Sequence, residues 1–243
     1  MKGLSFILNL CNRTAEEKGL QIAGAPDTYL GASFQTCRKL IEDGMIGEVV
    51  GFNAAMICRG HESWHPDPAF YYQFGGGPLM DMGPYYLTAL VNLLGPVAAV
   101  TSVAKTSFST RTITSQSHAG ESIDVEVPTY VAGTLKVTNP NMFGEKIYLL
   151  RPESKEYKEM PLLFDYQEDS RGLGLADMAK ALQEKRTIRA NMHQTFHVLD
   201  VITGFQRSSD KKAREVITSS IEATPIMKKA TVLGIIESDT LSF

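Results

Sequence analysis

Four side chains able to bind a metal or move a proton, His61, Glu62, His65 and Asp67, fall within a seven-residue stretch that also holds Trp64 and Pro66, with Pro68 just beyond. Imidazole nitrogens and carboxylate oxygens at this density suit a divalent cation, so a metal has to be weighed. No other ligand cluster accompanies them, and no metal is expected. Two readings stay open: His61, Trp64 and His65 line a pocket of sugar size, or they pack a loop. A second pair, His193 and His197, sits four residues apart at helical spacing without the glutamate of a zinc-protease motif, and reads as helix residues that pack or face solvent. Gly172-Leu173-Gly174 has no strand before it, so its glycines are assigned to helix packing and not to a phosphate turn.

The elements that must position these residues follow from periodicity. Ala15 to Leu20 reads as a charged helix end closed by Gly19, leading into a short buried strand over Leu20–Gly24. From Ser33 to Asp43, Phe34, Cys37, Leu40 and Ile41 recur at helical spacing, with Ser33 as a cap and Gly44 as the stop. Val49 to Cys58 reads as a strand, and the polar, aromatic stretch Arg59–Pro68 with the triplet Gly75-Gly76-Gly77 reads as loop, the kind of segment that lines sites. Asp81 to Leu94 returns to the helical period and Gly95-Pro96 ends it. Val97–Lys105 and Ile123–Lys136 read as strands, Gly174–Lys185 and Met192–Gln206 as helices, and Glu215–Thr218 as a terminal strand.

Composition narrows the classes of function. The 243 residues are 43% apolar and 21% charged, with a net charge of −3, ordinary for a folded globular chain and unlike a nucleic-acid or anionic-lipid binder. Lys211-Lys212-Ala213-Arg214 is too short to change that and reads as a solvated helix end. No apolar run reaches the roughly 18 to 20 residues that span a bilayer. The start, Met1 to Cys11, imitates a signal peptide, but Asn9 interrupts its apolar core and Asn12-Arg13 stand where small residues should mark cleavage. Three cysteines, Cys11, Cys37 and Cys58, cannot all pair within the chain, so reduced thiols and a cytoplasmic location are expected.

The run Gly75–Tyr86 (GGGPLMDMGPYY), preceded by Leu40–Val49 (LIEDGMIGEV) and followed in order by Asn139–Gly144 (NPNMFG), Ser170–Ala179 (SRGLGLADMA), Arg189–Asn191 (RAN) and His197–Asp200 (HVLD), resembles the Gfo/Idh/MocA family of nicotinamide-dependent oxidoreductases. The resemblance spans about Ala15 to Thr218. It implies an α+β fold, an open and mostly antiparallel sheet with helices packed on one face, carrying substrate residues and subunit contacts. It also implies NAD or NADP as cofactor and a sugar, polyol or related hydroxy compound as substrate. Asp81 matches the family aspartate that helps move the hydroxyl proton, and Tyr85 stands where many members have histidine. Four residues apart on a helix, the two would share a face, with Asp81 and Tyr85 as the catalytic pair. A phenol with pKa near 10 is a poor base unless positive charge lowers it. By their own residue types, Asp81 reads equally as a helix cap and Tyr85 as a half-buried aromatic. His61, Trp64, His65 and Arg171 are the expected substrate-binding residues, with a structural salt bridge the other reading of Arg171.

Two departures qualify what the resemblance implies. The strand, glycine-rich turn and helix that take the pyrophosphate in this family are absent from the sequence, so residues 1–26 read as a remnant of a dinucleotide-binding domain, its last helix and strand. Lys2 is a weak match to the family lysine. Residues 27–243 read as the substrate and oligomerisation domain, with an apparent internal deletion near 136–138 that would leave sheet edges unpaired. Cofactor binding by this chain, and turnover on its own, are therefore not expected. The alternative is a non-catalytic remnant that binds carbohydrate or pairs with a subunit, and the sheet leaves room for a homo-oligomer.

Overall fold

The charged stretch at Ala15–Leu20 closes a sixteen-residue helix, α1 (Lys2–Glu17), which ends as Gly19 turns to a φ of 61°. The computed structural model describes residues 2–131, 143–150, 156–168 and 170–227. The expected internal deletion near 136–138 and the side chain of Lys2 lie outside the described residues. After α1 the chain makes one antiparallel bridge, Ala23 with Asn191, and not the strand expected over Leu20–Gly24.

Helix α2 (Ala32–Glu42) forms where the spacing predicts it, but its buried side is as polar as it is apolar. Phe34 enters the core beside Tyr29, Leu30, Phe143, Phe164 and Met227. Around it, polar side chains satisfy the backbone of irregular neighbours. Gln35 donates to the Tyr29 carbonyl (2.9 Å) and accepts from the Met227 N–H (2.6 Å), and Thr36 Oγ1 accepts from the Leu163 N–H (2.9 Å). Ser33 is no cap. Gly31 holds that position, and Ser33 Oγ donates to the Phe143 carbonyl (2.9 Å). Loops packed on a helix leave backbone groups unpaired, and these side chains pair them.

The expected helix over Asp81–Leu94 is two helices, α4 (Pro78–Asp81) and α5 (Gly83–Leu94), after a one-turn helix α3 (Ala69–Tyr72). α5 packs on the long helix α7 (Met192–Lys211) through Leu87, Val91, Val198, Val201 and Ile202, a face repeating at helical period. Between them in the chain lies α6 (Leu173–Glu184).

All strand pairs are antiparallel. β1 (Ala99–Val100) pairs with β8 (Glu215–Val216), β2 (Ala104–Lys105) with β5 (Tyr130–Val131), β3 (Thr110–Thr112) with β4 (Ser122–Asp124), and β6 (Ile147–Leu149) with β7 (Lys158–Met160). These are four separate two-stranded pairs, open and antiparallel, and α7 lies against β1, β2 and β8, so the expected α+β class with helices on one face is the one observed. The strands are shorter than the periodicity predicts. Val49–Cys58 holds one bridge residue, Ala54, and no strand among the described residues, with Val50 95% and Ile57 90% exposed; an apolar run becomes a strand only when a partner takes its backbone groups along its length. Among the described residues no helix is long and apolar enough to cross a membrane. Cys11, Cys37 and Cys58 are free thiols, and burial pushes that of Cys37 up to about 11.

Two buried polar centres tie these elements together. Asp177 of α6 has none of its surface exposed and accepts from Arg189 Nη1 (2.6 Å), Arg186 Nη2 (2.7 Å) and the Arg189 N–H (2.8 Å). Arg189 also donates to the carbonyls of Pro225 (3.0 Å) and Ile226 (3.1 Å). Burial alone would raise the Asp177 carboxyl, but these hydrogen bonds and the Arg189 charge outweigh it and hold it below the usual carboxylate range. In the second centre, buried His197 Nε2 accepts from the Val97 N–H (2.9 Å), and its Nδ1 bonds Ser219 Oγ (2.9 Å), whose proton goes to Asp200 Oδ2 (2.9 Å). That pattern requires neutral imidazole with the proton on Nδ1, and burial lowers the His197 pKa.

Arg189→Ala leaves the buried Asp177 carboxylate with Arg186 and a backbone N–H, and removes the donors to the Pro225 and Ile226 carbonyls, so it should lower the unfolding free energy by about 1.5–3 kcal/mol in urea titrations. For His197 the folded pKa lies below the unfolded value near 6.5, so the unfolded chain binds more protons as pH falls from there, and stability is lost until the folded pKa is passed. The urea midpoint should therefore drop between pH 7 and 5.5, and His197→Gln should flatten that slope. Asp177 and Asp200, both lowered, contribute a separate loss only below about pH 4.

Candidate functional site

The loop expected to line a site begins at Gly60, whose φ of 116° and contact with Glu62 exclude a side chain: a Cβ there would stand 2.3 Å from Glu62 Oε2. A single 3-10 turn, His61–Ser63, follows and α3 comes next, so the residues from His61 to Tyr72 fold back on themselves. His61 becomes the centre of a ring cluster. Its imidazole stacks on Tyr71 (centroids 3.7 Å apart, planes 16° apart), tilts against Trp64 at 4.8 Å and His65 at 6.2 Å, and meets the edge of Phe70 at 6.3 Å. Trp64 keeps 62% of its surface exposed, presenting an aromatic face to solvent.

Asp81, at the end of α4, brings the acid to this cluster. Its Oδ2 lies 3.6 Å from His61 Nε2, and the carboxyl side chain stays 41% exposed. His61 Nδ1 is buried and has no hydrogen-bond partner among the described residues. Burial lowers the His61 pKa against the opposing pull of Asp81, so the ring is neutral at pH 7. Burial likewise raises the Tyr71 hydroxyl, which stays protonated. The pair that forms is thus His61 with Asp81. Tyr85 follows in α5, after the break at Met82. Its N–H bonds the Met82 carbonyl (3.1 Å), and its hydroxyl has no hydrogen bond among the described residues. Arg171 is exposed in the turn before α6, away from the loop in sequence.

The four metal-capable residues of the loop do not converge. Glu62 turns inward to accept from the Tyr72 hydroxyl and lies 3.3 Å from Arg111 Nε, while His65 Nδ1 accepts from the Asp67 N–H (3.0 Å). Among the described residues no group of three or more His, Cys, Asp or Glu side chains is placed to hold a metal. The start of α6 is no phosphate turn either. The glycine-rich helix start at α6 is filled by a carboxylate: Asp27 Oδ2 accepts from the Gly174 N–H (2.8 Å), and a Cβ on Gly174 would stand 2.7 Å from Asp27 Cβ. An acid at that helix N-terminus repels phosphate.

Sequence reasoning missed Tyr71 and the Glu62–Tyr72–Arg111 contact. The run Phe70-Tyr71-Tyr72, two residues after Pro68, was the available signal, since adjacent residues on one helical turn face different neighbours.

The sequence from 34 to 144 matches the family model described as GFO/IDH/MocA C-terminal domain. A comparison with curated proteins gives no match. Among solved structures, the chain is similar to an NAD binding oxidoreductase from Klebsiella pneumoniae, with 16% identity and a TM-score of 0.64 over 88% of this chain and 71% of that one. It is similar too to the super-repressor mutant of Gal80p from Saccharomyces cerevisiae (11% identity, TM-score 0.68, 87% of this chain and 69% of that one). A third is the WlbA dehydrogenase from Bordetella pertussis, solved with NADH and UDP-GlcNAcA (17% identity, TM-score 0.51, 86% and 67%). At these identities the structures speak to the fold alone, and the match to the Gfo/Idh/MocA C-terminal domain model is confined to residues 34–144.

Proposed function

We propose that this chain is a substrate-holding domain of the Gfo/Idh/MocA type that binds a sugar-like or polyol compound on the face formed by Trp64, His61 and Asp81. The observation that carries this reading is the His61–Asp81 contact beneath an exposed tryptophan face. An aromatic face takes the apolar side of a sugar ring, and a carboxylate accepts strongly from a hydroxyl. Neutral His61 beside Asp81 can take or return that hydroxyl's proton, so the two form an acid–base pair ready for chemistry at a carbinol. His65 at the rim of the cluster belongs to the same face, while Tyr85 and Arg171 are proposed only as more distant contacts.

Binding, and not turnover by this chain alone, is the reading we favour, because the His61–Asp81 contact is suited to hold a hydroxyl and the start of α6, closed by Asp27, offers no phosphate turn. A nicotinamide, when supplied, would provide the hydride acceptor. The second reading is an NAD- or NADP-dependent oxidoreductase whose nucleotide is held by other segments or by another subunit. The family match and WlbA, solved with NADH and a nucleotide sugar, favour it.

Trp64 is the only tryptophan in the sequence, so its fluorescence reports the site directly. Titration with inositols, aldoses and sugar acids should change that fluorescence saturably for at least one class. Asp81→Asn should weaken the binding about tenfold, the worth of one charge-assisted hydrogen bond, while leaving thermal unfolding unchanged because the side chain is half exposed. A chain that is folded and shows no saturable change with any of these compounds would end the proposal. Affinity should also fall at acid pH, below the ordinary histidine range because burial lowers the His61 pKa, since protonated His61 takes Asp81 as its own partner. Calorimetric titration with NADH and NADPH separates the two readings: micromolar binding to this chain would move the oxidoreductase reading to the front.

A further inference from the structure

His61 and Glu62 are adjacent yet meet different neighbours, and beyond Glu62 the loop borders an open cleft of about 320 Å³ whose walls include Arg59, Glu62, Phe108, Thr110 and Arg111. Arg111 is held in place from three sides. Its Nε lies 3.3 Å from Glu62 Oε1, its Nη2 donates to the Arg59 carbonyl (3.3 Å), and its guanidinium stands 5.4 Å over the Phe108 ring. Its Nη1 has no hydrogen-bond partner among the described residues. Glu62 is already engaged, accepting from Tyr72, whose hydroxyl burial and this bond push up to about 12. The carboxylate of Glu62 therefore balances Arg111, and no other acid lines the cleft. Arg59 is exposed and forms no ion pair or side-chain hydrogen bond among the described residues, which leaves one positive charge in excess.

We propose that this cleft is an anion-binding site that takes the phosphate or carboxylate group of a small metabolite between Arg59 and Arg111. A guanidinium presents parallel donors that match either oxyanion, and one already immobilised by Glu62 and Phe108 loses little freedom on binding. The volume is at the small end for a ligand site, enough for one charged group with a short carbon frame. Phe108 supplies the apolar wall for that frame. The site does not depend on the reading of the His61–Asp81 face.

Calorimetric titration of the full chain at low ionic strength with inorganic phosphate, and separately with malonate, tests the proposal and distinguishes the two chemistries. At least one anion should bind, more weakly as sodium chloride is raised. Arg59→Ala, at an exposed side chain on which no described contact depends, and Arg111→Lys, which keeps the charge but loses the fork, should each weaken binding about tenfold. Binding of neither anion by the folded chain, or affinity unchanged by either substitution, would overturn it.

Discussion

A carboxylate without access to water is costly unless charge and hydrogen bonds replace its hydration, and Asp177 sits under that constraint. The two arginines and the backbone N–H that meet it come from the turn following α6, and Arg189 passes on to the carbonyls of Pro225 and Ile226. α6 and the turn that follows it are thereby tied to residues 225 and 226, more than thirty positions further along the chain. The buried Tyr29 hydroxyl lies in the same field and donates to Gln194 (2.9 Å), which brings the start of α7 into the network. With α7 placed, α5 and strands β1, β2 and β8 pack against it, and α5 continues the chain from α4, where Asp81 lies.

The proposed substrate face is built on the rim of this core from a loop whose successive side chains part company. His61 goes to the ring cluster and Asp81, Glu62 to Tyr72 and Arg111. Gly60 makes this possible, since its conformation and the space taken by Glu62 forbid any other residue. The loop is anchored by main chain as well: the N–H groups of Thr114 and Ser115 both bond the Glu62 carbonyl. A rigid mount of this kind keeps an exposed aromatic face in register with its acid.

The sequence resembles a family that uses a nicotinamide, while the start of α6 is closed to phosphate by Asp27. Both facts have the same physical content. Fold and site are separable, because a sheet with helices on one face is stabilised by its core, whereas cofactor affinity needs free N–H groups at a helix start. Here Asp27 occupies those groups at α6. Similarity of fold to an oxidoreductase and to a super-repressor mutant shows one architecture in proteins described in very different terms.

The α+β class, α2, the two later helices and the terminal strand were legible in the sequence, because apolar side chains repeat at the periods that helices and strands impose. The family resemblance was legible as strings in order, and with it Asp81. The strand over Val49–Cys58 was misread, since strand formation depends on a partner that no local pattern names. The break at Met82 hid from periodicity because α4 and α5 share one helical spacing across it. Only the tertiary structure decided that Asp81 meets His61, that Glu62 abandons the loop for Arg111, and that Asp177 knits α6 to residues beyond 220. Sequence patterns record which face of an element is apolar; which polar groups meet across the fold depends on how those elements pack, and that is set by contacts between residues far apart in the chain.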